Sequence, residues 1–254
     1  MKTHITFHHK TYSINWDEPI SIAIPLRDGW QNPNAFFAPL VEISPVVMGD
    51  FIGDTQQGAA VNFKNVKFNP HGNGTHTECV GHIAREPVFL QQCLDKFFFA
   101  AQLISIYPQA MPDGDRVITL AQVREALEGK IFTPALIIRT LPNDKLKQQS
   151  NYSGNNPPYL SSEVAQYLAE NEVQHLLIDL PSVDREEDGG VLSAHHAFWQ
   201  YPHCTRHKAT ISELIYVPNA IKDGFYFLQF QITALVLDAS PSNPVLYIPE
   251  KINI

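Results

Sequence analysis

The residues of this chain best suited to chemistry lie in the short run 69–82, which reads NPHGNGTHTECVGH. This run carries His71, His76 and His82 together with Glu78. Imidazole and carboxylate groups together suit Zn²⁺, Mn²⁺ or a similar divalent ion. Because His76 and Glu78 are two residues apart, an extended backbone points both side chains to the same face. The spacing predicts a divalent metal site; the alternative is a polar loop whose histidines are solvated or hydrogen-bonded.

The segment 74–82, GTHTECVGH, resembles the H-x-G-T-H-x-D-x-P-x-H signature of the cyclase-like metal-dependent hydrolases. That family includes bacterial kynurenine formamidase and isatin hydrolase. Its second half is similar to three downstream features of this chain, namely the segment 177–184 (LIDLPSVD), the pair His195-His196 and Glu213. The resemblance extends over roughly residues 20–236, and the two halves together are more specific than either alone.

The resemblance implies a set of metal ligands when it is carried over residue by residue. The second histidine of the signature falls on His76, and its aspartate falls on Glu78, which keeps the charge but adds a methylene. The downstream ligands of the family fall on His195 and Glu213. These four residues are therefore predicted to hold a divalent metal, Zn or Mn.

The first histidine of the signature falls on Gly72, and His71 stands one position too early. On a regular strand, an offset of one residue points a side chain to the opposite face. A bulge over residues 72–74 would correct this, and His71 is then a fifth predicted ligand. Without the bulge one family ligand is missing, and the substitution Gly72→His is expected to tighten metal binding.

The last histidine of the signature falls on His82, and the resemblance assigns it to proton transfer. The implied reaction is hydrolysis of an amide-type carbonyl by metal-activated water. His82 would take the proton of the water and deliver it to the leaving nitrogen, and an unperturbed histidine pKa of about 6.5 suits both directions. By resemblance the substrate is an aryl formamide such as N-formylkynurenine, or a related small amide or cyclic imide.

Two further classes of function stay open from the sequence. The departures from the signature at Gly72 and Glu78 also fit a catalytically silent relative that binds metal or a small ligand. A metal-dependent lyase or dehydratase acting on a cyclic acid would use the same residue types. Metal content separates metal binding from its absence, and a panel of amides separates an enzyme from a binding protein.

Aromatic residues in the polar segment 28–39 are candidates for substrate contact. Trp30, Phe36 and Phe37 are predicted either to form an aromatic wall over a flat substrate or to pack onto the body of the protein. Asp184 is predicted either to orient a metal-bound histidine or to cap its own turn.

Composition limits the partners of the protein. A formal net charge of −8 argues against nucleic acid or an anionic membrane as partner, and no apolar run is long enough to span a bilayer. The first residues lead into polar sequence rather than the core of a signal peptide, and three cysteines without a CxxC pair argue against a disulfide framework. We expect a cytoplasmic protein acting on a small molecule; the resemblance adds a homo-oligomer, a dimer or tetramer.

Hydrophobic patterning predicts one α/β domain over residues 1–254. Helices are predicted over 120–128, with Thr119 and Gln122 as a capping box, and over 162–171. Buried strands are predicted over 103–107, 135–139 and 175–179, a hairpin or edge strand over 5–16 and a long strand over 226–237. Strand, helix and strand with short connections indicate a parallel sheet. The resemblance implies a swivelling β/β/α fold with a mixed sheet and flanking helices.

Overall fold

The computed structural model of the chain describes residues 1–252. Within that range no helix is long and apolar enough to cross a membrane. The helices are α1 (Leu90–Cys93), α2 (Leu120–Leu127), α3 (Ser162–Glu170) and α4 (Ser193–Trp199). The strands are β1 (Lys2–Phe7), β2 (Lys10–Asn15), β3 (Ile20–Ser21), β4 (Glu42–Pro45), β5 (Val47–Met48), β6 (Phe51–Ile52), β7 (Lys64–Lys67), β8 (His76–Cys79), β9 (Phe98–Ile106), β10 (Gln109–Ala110), β11 (Arg116–Ile118), β12 (Ala135–Thr140), β13 (Tyr159–Leu160), β14 (His175–Ile178), β15 (Thr210–Glu213), β16 (Gly224–Ile232), β17 (Ala239–Tyr247) and β18 (Pro249–Ile252).

The central feature is a mixed sheet that closes on itself. Its strands are hydrogen-bonded in the order β16-β9-β12-β14-β15-β8-β17, and β17 pairs again with β16 to complete a barrel. Strands β9, β12, β14 and β15 run parallel, whereas β8, β16 and β17 pair antiparallel with their neighbours. The predicted single α/β domain with a mixed sheet and flanking helices is confirmed.

The parallel strands are buried on both faces, which explains their continuous apolar sequences. In β12, Leu136 and Ile138 pack on the side of the helices, while Ala135 and Ile137 pack in the barrel interior. Side chains alternate between the two faces of a strand, so both faces need apolar residues when both are covered. A run such as 135–139 is therefore predicted correctly as a buried strand.

The two predicted helices cover the outer face of the sheet. Helix α2 begins at Leu120, where the Gln122 side chain accepts a hydrogen bond from the Thr119 backbone N–H at 3.1 Å. Helix α3 buries Val164 and Leu168 in the apolar cluster that also contains Leu136 and Ile138 of β12. It connects β13 to β14, which pairs in parallel with β12. The predicted helices and parallel sheet are confirmed.

Three elements differ from the sequence prediction. The strand predicted over 226–237 is the shorter β16, followed by a separate strand β17 that carries Pro241 and Pro244. Proline is disfavoured in strands, which hides β17 from sequence patterning. Helix α4 was also missed because its seven residues are too few for a clear helical period. The predicted hairpin is formed by β1 and β2, and β18 extends it to three strands.

Candidate metal centre and its cavity

A tight turn precedes the strand that carries the central ligand candidates. The Asn69 side chain accepts from the Gly72 N–H at 2.9 Å, and the Asn73 side chain accepts from the Asn69 N–H at 2.6 Å. A Cβ atom at position 72 would lie 2.4 Å from Ala38 Cβ and 3.0 Å from the Ala35 carbonyl oxygen. The turn therefore accepts only glycine at 72, which is where the family signature has a histidine.

Glu78 lies at the centre of a group of ligand-type side chains. Its Oε1 is 3.2 Å from His195 Nε2, and its Oε2 is 3.0 Å from His71 Nδ1. Glu213 faces the same point, with Oε2 3.4 Å from His76 Nε2 and Oε1 3.9 Å from His195 Nε2. The structure thus brings together all five residues that the sequence proposes as ligands.

Different elements deliver these five side chains. Strand β15 runs antiparallel to β8, so Glu213 lies directly opposite His76. Helix α4 places His195 over the same point. His71 belongs to the turn and not to the strand, so the strict alternation of a strand does not apply to it. The predicted offset is corrected by this turn, and His71 faces Glu78.

His82 lies at the open side of the group. Its Nδ1 is 3.8 Å from Glu78 Oε2 and 3.6 Å from Asp238 Oδ2, and its ring centroid is 4.3 Å from that of His71. The residue ends a 3₁₀ turn that follows β8, and 30% of its side chain is exposed. In this position His82 is able to contact a substrate in the neighbouring cavity, although it is not itself one of the buried side chains.

Two aspartates contact the ring nitrogens of His195 and His71 that do not face Glu78. Asp184 Oδ2 lies 2.6 Å from His195 Nδ1, and the same carboxylate accepts from the N–H groups of Ala194 and His195. Asp238 Oδ2 lies 2.9 Å from His71 Nε2. Asp184 therefore both caps α4 and orients a histidine. Sequence reasoning missed Asp238, because an isolated acid 167 positions from His71 carries no local signal.

The charges of this group are strongly coupled. Burial disfavours the charged form of the imidazoles of His195 and His71. Hydrogen bonds to Asp184 and Glu78 nevertheless raise the pKa of His195 to about 10. Against the same effect of burial, hydrogen bonds to Asp238 and Glu78 raise the pKa of His71 to about 10. The hydrogen bond from His71 holds the pKa of Asp238 well below its usual range. These carboxylates require positive charge beside them, which a proton or a metal cation supplies.

The donor set fits a divalent ion. Among residues 1–252, His76 Nε2 is a buried side-chain atom without a hydrogen-bond partner. A buried polar atom without a partner is rare in proteins and is typical of a site that holds an ion or a water. His71, His76 and Glu78 each offer one ligand atom within 4.8 Å of the others. Imidazole and carboxylate are ligands of Zn²⁺ and Mn²⁺.

A cavity of about 300 Å³ opens onto this group. His71, His82, His195 and Glu213 line it, and Phe36 contributes an aromatic wall. The rest of the lining is formed by the segment that leads into α4, namely Ser182, Arg185, Glu186, Asp188, Gly190 and Leu192. Trp30 and Phe37 line a separate depression of about 330 Å³. Of the three aromatic residues that the sequence proposes for substrate contact, only Phe36 lines the cavity next to the candidate metal ligands.

Left-handed backbone occurs beside the site in residues that rarely adopt it. Phe36 and Phe37 have φ values of +56° and +53°, and Leu214, directly after Glu213, has +52°. Each such residue costs about 1–3 kcal/mol and persists only where its surroundings hold it. The Phe37 N–H donates to Ser153 Oγ at 3.0 Å, which is one such constraint. The strained pair keeps the Phe36 ring at the cavity.

The fold and the site together define an α/β protein with a His/Glu group able to hold a metal ion on the helix-covered face of a closed mixed sheet. The Cyclase family model matches residues 5–185, and the chain belongs to this family. The resemblance recognised in the segment 74–82 is thereby confirmed. No curated protein matches the chain significantly.

Solved structures share the fold at low sequence identity. Isatin hydrolase A from Ralstonia solanacearum superposes with a TM-score of 0.69 at 13% identity, covering 91% of this chain and 92% of that one. Isatin hydrolase A from Labrenzia aggregata gives 0.68 at 12% identity, covering 92% and 94%. A predicted metal-dependent hydrolase from Bacillus stearothermophilus gives 0.62 at 16% identity, covering 91% and 98%. These likenesses establish the fold of the cyclase-like metal-dependent hydrolases.

Proposed function

We propose that this protein is a metal-dependent hydrolase of a small amide, either an aryl formamide or a related cyclic imide. One observation carries the proposal: five ligand-type side chains, Glu78 among them, gather at one point, and His82 borders both this group and the cavity. The fold that the chain shares with isatin hydrolases supports a carbonyl carbon next to nitrogen as the reacting centre.

The metal ligands in this proposal are His71, His76, Glu78, His195 and Glu213. The two oxygens of Glu78 face different histidines, so this carboxylate would hold a divalent ion together with His71 and His195. When bound, a divalent ion supplies Lewis acidity for the carbonyl and lowers the pKa of water from about 15.7 toward about 7.

The protein side chains contribute proton transfer and positioning. His82 accepts the proton of the attacking water and returns it to the nitrogen that leaves, since it borders both the carboxylate group and the cavity. Asp184 holds the ring of His195 through Nδ1 and leaves Nε2 directed at Glu78. Phe36 provides a flat apolar surface for an aromatic or heterocyclic ring.

A metal-controlled activity screen tests the proposal. The protein is stripped with a chelator, reloaded with Zn²⁺ or Mn²⁺, and assayed with N-formylkynurenine, isatin, an aliphatic lactam and a cyclic imide. We expect metal-dependent hydrolysis of at least one ring-bearing member. Metal binding without turnover of any member would instead support the silent relative, and absence of metal binding would contradict the metal centre itself.

A further inference from the structure

We propose that Asp238 is a positioning residue that makes His71 a metal ligand, in place of the histidine that the family signature has at position 72. This inference rests on the metal centre of the proposed function and not on the identity of the substrate. It concerns a residue outside the signature, brought to the site by the closure of the sheet.

Position 72 is unable to supply the ligand. A Cβ atom there would lie 2.4 Å from Ala38 Cβ and 3.0 Å from the Ala35 carbonyl oxygen. Any side chain at 72 would have to displace the segment that carries Phe36, which is a wall of the cavity. A ligand for this side of Glu78 must therefore come from a neighbouring residue.

His71 fills this place with its ring reversed relative to the other two histidines. His195 and His76 each have Nδ1 bonded to an oxygen, from Asp184 at 2.6 Å and from the Gly74 carbonyl at 2.9 Å. Each then directs Nε2 at a carboxylate of the group. His71 instead directs Nδ1 at Glu78, and its Nε2 is bonded to Asp238.

The nitrogen that binds a metal must be unprotonated, and the tautomer is set by the acceptor that holds the other nitrogen. Asp238 accepts the Nε2–H of His71 at 2.9 Å, which leaves the lone pair of Nδ1 facing Glu78. Without Asp238 the ring of His71 is free to rotate or change tautomer, because a quarter of its side chain is exposed. Asp238 thus selects the nitrogen that faces the metal position.

Barrel closure explains why Asp238 is available. The residue directly precedes β17, whose Ala239 pairs with Glu78 of β8. Its carbonyl oxygen accepts from the Cys79 N–H at 3.0 Å, which fixes its backbone beside the site. Its side chain is 31% exposed, and ion pairs at such positions contribute little to stability. Orientation of His71 is a better account of this contact than stabilisation of the fold.

The test measures metal affinity without requiring turnover. Zn²⁺ is titrated into chelator-stripped wild type, Asp238→Ala, Asp238→Asn and the surface control Asp50→Asn, and each metal-free protein is melted. We expect Asp238→Ala to weaken Zn²⁺ binding about 10–100-fold with little change in metal-free melting. The loss in Asp238→Asn should be smaller, because an amide oxygen still accepts from Nε2–H, and Asp50→Asn should match wild type.

A double-mutant cycle shows whether Asp238 acts through His71. If it does, His71→Ala combined with Asp238→Ala weakens Zn²⁺ binding no more than His71→Ala alone. Unchanged affinity in Asp238→Ala, or additive losses in the double variant, would overturn the inference. Asp184→Asn is the matched control, because it alters the corresponding contact between an aspartate and His195. A wild type that binds Zn²⁺ but hydrolyses nothing would contradict the proposed function and leave this measurement intact.

Discussion

The metal centre has an inner and an outer part that differ in burial. The inner group consists of His76, Glu78, His195 and Glu213, all at most 3% exposed. The outer group consists of His71, His82 and Asp238, whose side chains are 25–31% exposed. Core strands and a helix carry the inner group, whereas turns and a strand start carry the outer one. The difference indicates that the candidate ligands extend from the buried core to the cavity, where His71 joins them from the outer group and His82 meets water and substrate.

The largest expected effect breaks the inner group at its centre. Glu78→Gln removes the carboxylate that faces both His71 and His195, so we expect loss of bound metal and a fall in turnover of about 10³-fold or more. Metal content and kinetics measure both quantities. Glu78→Asp restores the residue of the family signature and serves as the control; equal losses in the two variants would mean that charge alone does not hold the metal.

The next effect separates proton transfer by His82 from metal binding. His82→Ala should lower kcat by about 10²–10⁴-fold, the usual value of a positioned acid–base group. Bound metal and melting temperature should stay near wild type, because His82 is at the exposed edge of the group. A variant that loses its metal would make His82 a ligand, and one that retains turnover would remove it from the mechanism.

A third change tests the turn between the two groups. Gly72→Ala adds a Cβ 2.4 Å from Ala38 Cβ, so we expect a loss of about 1–3 kcal/mol in the free energy of unfolding. For the same reason Gly72→His should not tighten metal binding, contrary to the expectation from the signature. Thermal melting and metal titration measure these two effects. A fully stable Gly72→His variant with tighter metal binding would contradict the packing argument.

His175 provides a contrast with His195, because it is equally buried but its Nδ1 contacts a hydroxyl and not a carboxylate. Its Nδ1 contacts the Thr210 hydroxyl at 2.8 Å, and burial lowers the pKa of His175 to about 3. The unfolded chain takes up this proton near pH 6.5, so stability from neutral His175 is complete above pH 6.5 and declines as pH falls toward 3. In His175→Gln, unfolding free energy should change less steeply with pH, by up to about 1.4 kcal/mol per pH unit. Equal slopes, measured by denaturant titration, would contradict the shift.

The smallest effect concerns the cavity wall. Phe36→Ala should raise KM for a ring-bearing substrate about 2–10-fold, since a lost aromatic contact is worth about 0.5–1.5 kcal/mol. Trp30→Ala is the matched control, because Trp30 lines a different depression. Equal effects of the two substitutions would place the substrate elsewhere. The comparison needs a substrate identified in the activity screen.

Local patterns were sufficient for much of the fold. Helices α2 and α3 follow from capping residues and apolar spacing, and β12 follows from a continuous apolar run that is buried on both faces. Strand β17 and helix α4 do not follow, since prolines obscure the strand and the helix is short. Asp238 directly precedes β17, and His195 lies in α4. The two elements that the sequence prediction missed are therefore next to the site.

The sequence alone determined the types of the candidate ligand residues, because the signature and its downstream half assign His76, Glu78, His195 and Glu213. It also determined family membership, which the family match over residues 5–185 confirms. Such motifs are readable because ligand chemistry restricts the residue type at each position.

Only the tertiary structure decided how the departure at Gly72 is compensated. A turn brings His71 to Glu78, and the closure of the sheet brings Asp238 to the other nitrogen of His71. Contacts between residues far apart in sequence depend on strand pairing and packing of the whole barrel, which no local pattern specifies. The identity of the candidate ligands is therefore a property of the sequence, and the orientation of His71 is a property of the fold.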